Sequence, residues 1–371
     1  MSSYSSFNAT FLKLFLGSSL VLGLFNVLAD PFAVMGMPRV KAWNYTKPDL
    51  GNHIRLYKAV DLAKQDIKTL IIGASRVEEG IDPNQDNLAA YQPAYNMAMA
   101  GATLYEQSRY LEHAIATQPN LETVFLGIDL WLLYSELPAF RPGFDENRIG
   151  RHGLSIEEWL KTNFSFATTE SSFNIVQTNR KNPQGERNYS PSGLRTNANA
   201  DVPFTHWLKF VVNRNAESLS EEAFANLQTM LDLCTHHNIE LIVFTTPAHA
   251  SHMEALHISG NGHLIEKIKR RLASMTSFYD FYGYSSLTYG PLEETEIYRD
   301  SSHFQLSVGE LMVERMLENT QANMPDEFGL WVTTATVEER LLQQREARSA
   351  WLLDNPDIVE AVTAMRDKEK L

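Results

Sequence analysis

With 371 residues, 44% of them hydrophobic and 21% charged, the chain holds enough apolar material for one large domain or two modest ones and lies far from the profile of a disordered protein. The 32 Lys and Arg stand against 45 Asp and Glu, a formal charge of -13, so the surface repels phosphate backbones and nucleic acid is set aside as a partner. A single cysteine, Cys234, excludes an internal disulfide, and its neighbours Leu231, Leu233 and Ile239 mark it as a small core residue.

In chain order the first element is apolar. Residues 9–29 hold one charge, Lys13, and the uncharged run 14–29 is followed at once by Asp30-Pro31. A spanning helix needs about 20 mainly apolar residues, so with Lys13 snorkelling toward the headgroups this stretch suffices for a signal anchor. A cleaved signal peptide ending at Val27-Leu28-Ala29 is the alternative. A soluble amphipathic helix would show a polar face, and here there is almost none. Residues 1–30 therefore read as an anchor or export signal, which places the rest of the chain outside the cytoplasmic membrane.

Residues 31–52, rich in Pro, Gly and Asn, form a tether, and a helix over 53–64 opens the folded body, which runs to about 325. Short apolar runs at 68–73, 94–99, 123–129, 240–246 and, more weakly, 277–281 read as buried strands. Stretches at 104–117, 220–237 and 262–274 carry apolar residues at three- and four-residue spacing and read as helices. Alternating strands and helices predict a three-layer α/β/α sandwich around a mainly parallel sheet, with the ligand site beyond the carboxyl ends of the strands. The basic cluster Lys267-Ile268-Lys269-Arg270-Arg271 falls in the last of these helices and reads as a solvated face. Residues 134–205 break the alternation as an insertion, either a lid or groove or a solvated loop. Residues 326–371 form a helical extension, with a hairpin broken at Asn355-Pro356.

Two segments carry candidate chemistry. The strand Thr69-Leu70-Ile71-Ile72 runs into Gly73-Ala74-Ser75-Arg76. A serine at a strand's carboxyl end, in a turn opened by glycine, can project its hydroxyl into a cleft while its amide helps hold an oxyanion. The same serine could simply cap the next helix. Far downstream, Asp300-Ser301-Ser302-His303 precedes a helical pattern starting near Leu306. Asp and His three residues apart on a short turn can set the carboxylate against one imidazole nitrogen and leave the other to take a serine proton; helix capping by Asp300 or Ser302 is the competing reading. Arg76 suits an oxyanion or an acidic sugar, or opens a surface helix. His249, after the fourth strand, falls on the active face. His249, His252 and the pair His236-His237 lack a carboxylate in a recurrent metal pattern, so neither a metal nor any other cofactor is called for.

Taken together, these segments resemble the SGNH/GDSL hydrolase superfamily. That resemblance implies that Ser75 is the nucleophile, His303 the base and Asp300 its orienting carboxylate. The superfamily's second block, an asparagine followed five residues later by an oxyanion-binding glycine, is matched by Asn96 and Gly101, with Ala98 where a further glycine is usual. Its third block, Gly-x-Asn-Asp, is not matched: the third strand ends Gly127-Ile128-Asp129, and an ionised Asp129 repels an oxyanion instead of donating to it. Similar departures occur in SGNH-like proteins of the bacterial envelope, such as those that O-acetylate alginate. The resemblance covers about residues 65–315 and does not fix a substrate.

The expectation is an extracytoplasmic serine esterase or O-acyltransferase, anchored by residues 9–29 in a bacterial inner membrane and acting on an acylated glycan or small ester. The amides of Ser75 and Gly101 would hold the oxyanion, and Arg76, Asn96, Asp129 and His249 would be open to substrate. The alternative is a non-catalytic SGNH-like protein that binds a glycan or partners an integral-membrane acyltransferase.

Overall fold

The computed structural model describes residues 2–368 apart from 136, 197–201, 215, 217, 294 and 319–323, so parts of the insertion and of the carboxyl-terminal extension lie outside the described residues. It opens with α1 (Ser2–Ala29), whose stretch Ser6–Ala29 reaches a mean hydropathy of 1.9 and is the one helix among the described residues long and apolar enough to cross a membrane. The body then follows the predicted alternation through α2 (Ile54–Leu62), β1 (Thr69–Ile72), α3 (Ser75–Gly80), β2 (Ala94–Asn96), α4 (Leu104–Thr117) and β3 (Thr123–Ile128). The insertion holds α5 (Ile156–Phe164) and α6 (Phe166–Lys181), and α7 (His206–Val212) follows it. The chain returns with α8 (Glu221–His236), β4 (Glu240–Thr245), α9 (Ala250–Ile258), α10 (Gly262–Met275) and β5 (Phe278–Asp280), and closes with α11 (Leu306–Met316), β6 (Leu330–Val332), α12 (Val337–Asp354) and α13 (Pro356–Lys368).

The six strands form one sheet in the order β2-β1-β3-β4-β5-β6, parallel throughout except that β6 runs antiparallel to β5. This is a doubly wound α/β sandwich, and its strand order reverses between β1 and β3, the place where such sheets open a crevice. All five predicted strands form, each ending before its apolar run does, and the residues that follow, such as Met97, Met99 and Phe281, stay buried in the core. Side chains alternate across the sheet. Leu70, Ile72, Val124 and Leu126 face one half of the core, with Leu111, Phe224 and Leu272, while Ile71, Phe125 and Phe244 face the other, with Val77 and Met312.

The second face is built around two glycine contacts. A Cβ on Gly127 would meet Val77 Cγ2 at 2.4 Å, so the start of α3 sits directly on the sheet beside β3. A Cβ on Gly309 would come within 1.7 Å of the Gly80 carbonyl oxygen, so α11 crosses α3 backbone to backbone. That crossing fixes the segment before α11 against the segment that starts α3. We expect Gly309→Ala to push the two helices apart and to cost about 1–3 kcal/mol by overpacking, read as a lowered urea midpoint at unchanged slope.

The basic cluster on α10 departs from the expectation of a solvated face. Arg270 and Arg271 do reach exposed glutamates, Glu338 and Glu221, but Lys269 is buried with its Nζ 2.7 Å from Asp280 Oδ2. Arg340 of α12 shares that carboxylate at 2.9 Å. β5 ends inside the molecule, and its terminal carboxylate needs cations there. Cys234 is buried on α8, where burial pushes its thiol up to about 12.

Candidate active site

β1 delivers the chain through Gly73-Ala74 to Ser75, the first residue of α3. The helix-capping alternative does not apply, since the cap position is Ala74 and no side chain caps this helix. The Ser75 hydroxyl instead lies 2.8 Å from His303 Nε2. Its amide belongs to the first turn, where no helical acceptor exists.

His303 is held by a turn that Asp300 builds. Asp300 Oδ1 accepts from the amides of Ser302 at 2.8 Å and His303 at 2.9 Å, and the strand-like bridge between Tyr298 and Phe304 closes the loop. The same carboxylate meets His303 Nδ1 at 3.0 and 2.9 Å through its two oxygens. A carboxylate only accepts, so Nδ1 carries the proton and Nε2 faces Ser75 with its lone pair. α11 takes Gln305 at its cap position with no side-chain cap bond, so Asp300 and Ser302 are not spent on it.

Burial alone would raise the Asp300 pKa, but His303 and the two amides outweigh it and hold the carboxyl well below the usual carboxylate range. A depressed folded pKa stabilises the fold above the unfolded value of about 3.9 and loses that contribution as pH falls below it. Asp300→Asn should therefore lower the denaturation midpoint at pH 7, and its deficit against the parent should shrink as pH drops from about 5 toward 3.

Beyond β2, Gly101 adopts φ +64, a conformation glycine takes without the Cβ penalty. Ser75, Gly101 and His303 all border one cavity of 440 Å³ at the carboxyl ends of the strands. Arg76 also borders it, though only 2% exposed. It is neither a surface helix opener nor a free cation. Its Nε and a terminal nitrogen donate to Ser302 Oγ at 3.1 and 2.9 Å, and its other terminal nitrogen lies 3.3 Å from Thr246 Oγ1 and 3.9 Å from Asp129 Oδ1. It therefore fastens α3 to the turn bearing His303.

Three other predicted contacts lie outside the cavity wall. Asn96 is fully buried, donating to the carbonyls of Val77 and Ile81 and accepting from the Ala98 amide, so it shapes the loop leading to Gly101. Lys58 supports the same loop through the carbonyls of Asn96 and Ala98. Asp129, 1% exposed, sits behind Arg76 and accepts the Thr246 hydroxyl. His249 caps α9, with Nδ1 2.7 Å from Ser251 Oγ and Nε2 3.1 Å from the Gly290 carbonyl, and burial draws its pKa down to about 4.

Residues not singled out for the site complete the wall. His252 Nε2 lies 3.3 Å from an Arg76 terminal nitrogen; arginine only donates, so this nitrogen accepts and the ring is neutral. Burial, then Arg76, holds its pKa well below the ordinary histidine value. Trp207 packs edge-on against His303 at 5.7 Å between ring centroids. Arg141, from the insertion, donates from Nε to the Gly101 carbonyl at 3.2 Å. Arg195, also from the insertion, pairs with Glu79 at 2.9 Å on the same wall. No motif announces these residues, which reach the cavity only through the folded insertion and the chain beyond it.

No protein-family model matches the chain, and no curated protein matches it. Among solved structures it is similar to a putative acylhydrolase from Bacteroides fragilis, at 12% identity and a TM-score of 0.38, with 71% of this chain and 96% of that one covered. Ser75, His303 and Asp300, hydrogen-bonded in series at the rim of a cavity above the strand-order reversal, form the candidate active site on their own geometry.

Proposed function

We propose that the chain is a serine-dependent acyl-transfer enzyme of the SGNH type, an esterase or O-acyltransferase. The observation that carries this reading is the continuous chain from the Ser75 hydroxyl through His303 to Asp300. In this mechanism Ser75 Oγ attacks the acyl carbon while its proton passes to His303 Nε2, and Asp300 stabilises the imidazolium. The oxyanion is held by the amides of Ser75 and Gly101, with Arg141 a cationic donor on the same wall. Collapse expels the alcohol, which takes the proton back from His303, and leaves an acyl ester on Ser75. Water or a glycan hydroxyl then attacks that ester, giving hydrolysis or transfer.

We place this chemistry on a membrane through α1, retained as an anchor in the inner membrane with the body outside the cytoplasm. The end of α1 is woven into the body, which supports retention over cleavage. Asn26 is buried and donates to Asn163 O and Thr169 Oγ1, both at 2.9 Å, and Lys47 Nζ reaches the Ala29 carbonyl at 3.1 Å.

A second reading, a glycan-binding or accessory protein that partners an integral-membrane acyltransferase, is favoured by Asp129, which stands where the superfamily's third oxyanion donor would be. One experiment separates the two. Full-length protein in detergent should be labelled by a fluorophosphonate probe and should hydrolyse p-nitrophenyl acetate, both lost in Ser75→Ala. Absence of labelling in the folded parent would favour the binding protein.

A further inference from the structure

Helices α5 and α6 are built inside out. On α5 the buried residues are Thr162 and Asn163, while Ile156, Trp159, Leu160 and Phe164 are exposed. On α6, Thr168, Ser172 and Asn179 are buried together with Ile175 and Val176, while Phe166 is 92% and Phe173 60% exposed. A solvated helix turns its apolar stripe inward, and a contiguous exposed apolar patch marks an interaction site.

This patch adjoins α1. Gly23 meets Phe164 so closely that a Cβ there would come within 2.5 Å of the ring. Phe25 packs on Phe173 at 4.8 Å between centroids, and the Asn26 side chain bonds to both helices. Toward its amino end α1 leaves the body, with Phe11, Leu14, Phe15, Leu20 and Val21 all exposed. At 1.5 Å per residue, residues 9–29 span about 31 Å, close to the thickness of a bilayer's hydrocarbon core. The docked turns from Gly23 onward therefore take up about the last 9 Å of that span, on the side where α1 emerges, and α5 and α6 lie at that interfacial depth beside them. Aromatic side chains favour that level. The charged pair on the exposed side of α5, Glu157 and Lys161, is joined at 2.6 Å, which lowers the cost of bringing it to the headgroups.

We infer that α5 and α6 seat the body on the membrane, with Trp159, Phe164, Phe166 and Phe173 in the boundary between headgroups and acyl chains around the exit of α1. The inference rests on α1 being a membrane anchor. The occupant of the patch is lipid.

The lone cysteine makes the test direct. In a full-length Cys234→Ala background, single cysteines are introduced by Phe166→Cys, Ile156→Cys, Phe15→Cys and Leu342→Cys, labelled with a nitrobenzoxadiazole dye, and the protein is reconstituted into phosphatidylglycerol–phosphatidylethanolamine vesicles. Labels at 166 and 156 should be quenched at least about twofold by a doxyl group carried near the headgroup, the label at 15 by a doxyl deep in the acyl chain, and the label at 342 by aqueous iodide alone. Iodide quenching at 166 and 156, with 15 still in lipid, overturns the seating and leaves the anchor intact. Labels at 166 and 156 shielded from both quenchers mean that a protein covers the patch, which also overturns it. A label at 15 open to iodide means that the anchor reading itself has failed, and the seating with it.

Discussion

Ser75→Ala should reduce ester hydrolysis by about 10⁴- to 10⁶-fold, the range seen when the nucleophile of a serine triad is removed. The variant should fold normally, because the Ser75 hydroxyl caps nothing and, among the described residues, its side-chain partner is His303. His303→Ala should fall into the same range. Asp300→Asn should lose about 10⁴-fold, because an amide can no longer select the tautomer that leaves Nε2 free. The three losses should not add, since each residue acts through the same proton path. The measurement is kcat/KM on p-nitrophenyl acetate with matched thermal midpoints. A Ser75→Ala variant within about tenfold of the parent would sink the nucleophile assignment.

The second large effect is on stability and runs against a motif-based guess. Asp129→Asn installs the amide that the superfamily carries in its third block, yet we expect a weaker fold and no gain in rate. Asp129 and Arg76 are buried together at 3.9 Å, and the other groups that Arg76 meets, Ser302, Thr246 and His252, are neutral. Neutralising one member of a buried pair leaves the other charge uncompensated, at about 3–5 kcal/mol, with the long contact favouring the lower end. Arg76→Met should be comparably harmful, and the double variant should be less harmful than the sum of the two. A denaturation double-mutant cycle measures this coupling, and strict additivity would refute it.

The fold was legible where burial and period agree. Strands covered on both faces read as unbroken apolar runs, as at Thr69–Ile72 and Thr123–Ile128, and α4, α8 and α10 carry their apolar residues at helical spacing. β6 is only three residues long, too short for any period. α9 is buried on nearly every side, its polar residues included, and gives no stripe, while α5 and α6 escaped notice because exposed Trp159, Phe164, Phe166 and Phe173 and buried Thr162, Asn163, Thr168 and Ser172 break the usual stripe. The order of Ser75, Gly101, Asp300 and His303 was legible because each sits in a local block. The roles of Arg76 and Asn96 were not, because their partners lie in the 302 turn, after β4, and at both ends of α3, and only the folded chain brings these together.

The insertion between β3 and α7 touches both the cavity, through Arg141 and Arg195, and the base of α1, through Asn163, Phe164 and Phe173. A shortened version beginning after residue 30, the usual choice for making such a protein in quantity, would uncover Phe164 and strip the Asn163 carbonyl of its buried donor. The damage would reach the candidate site through a loop that contains none of Ser75, Asp300 and His303. On the proposed function, weak turnover by such a fragment would then report the loss of its own floor, and rates measured on it would understate those of the full chain.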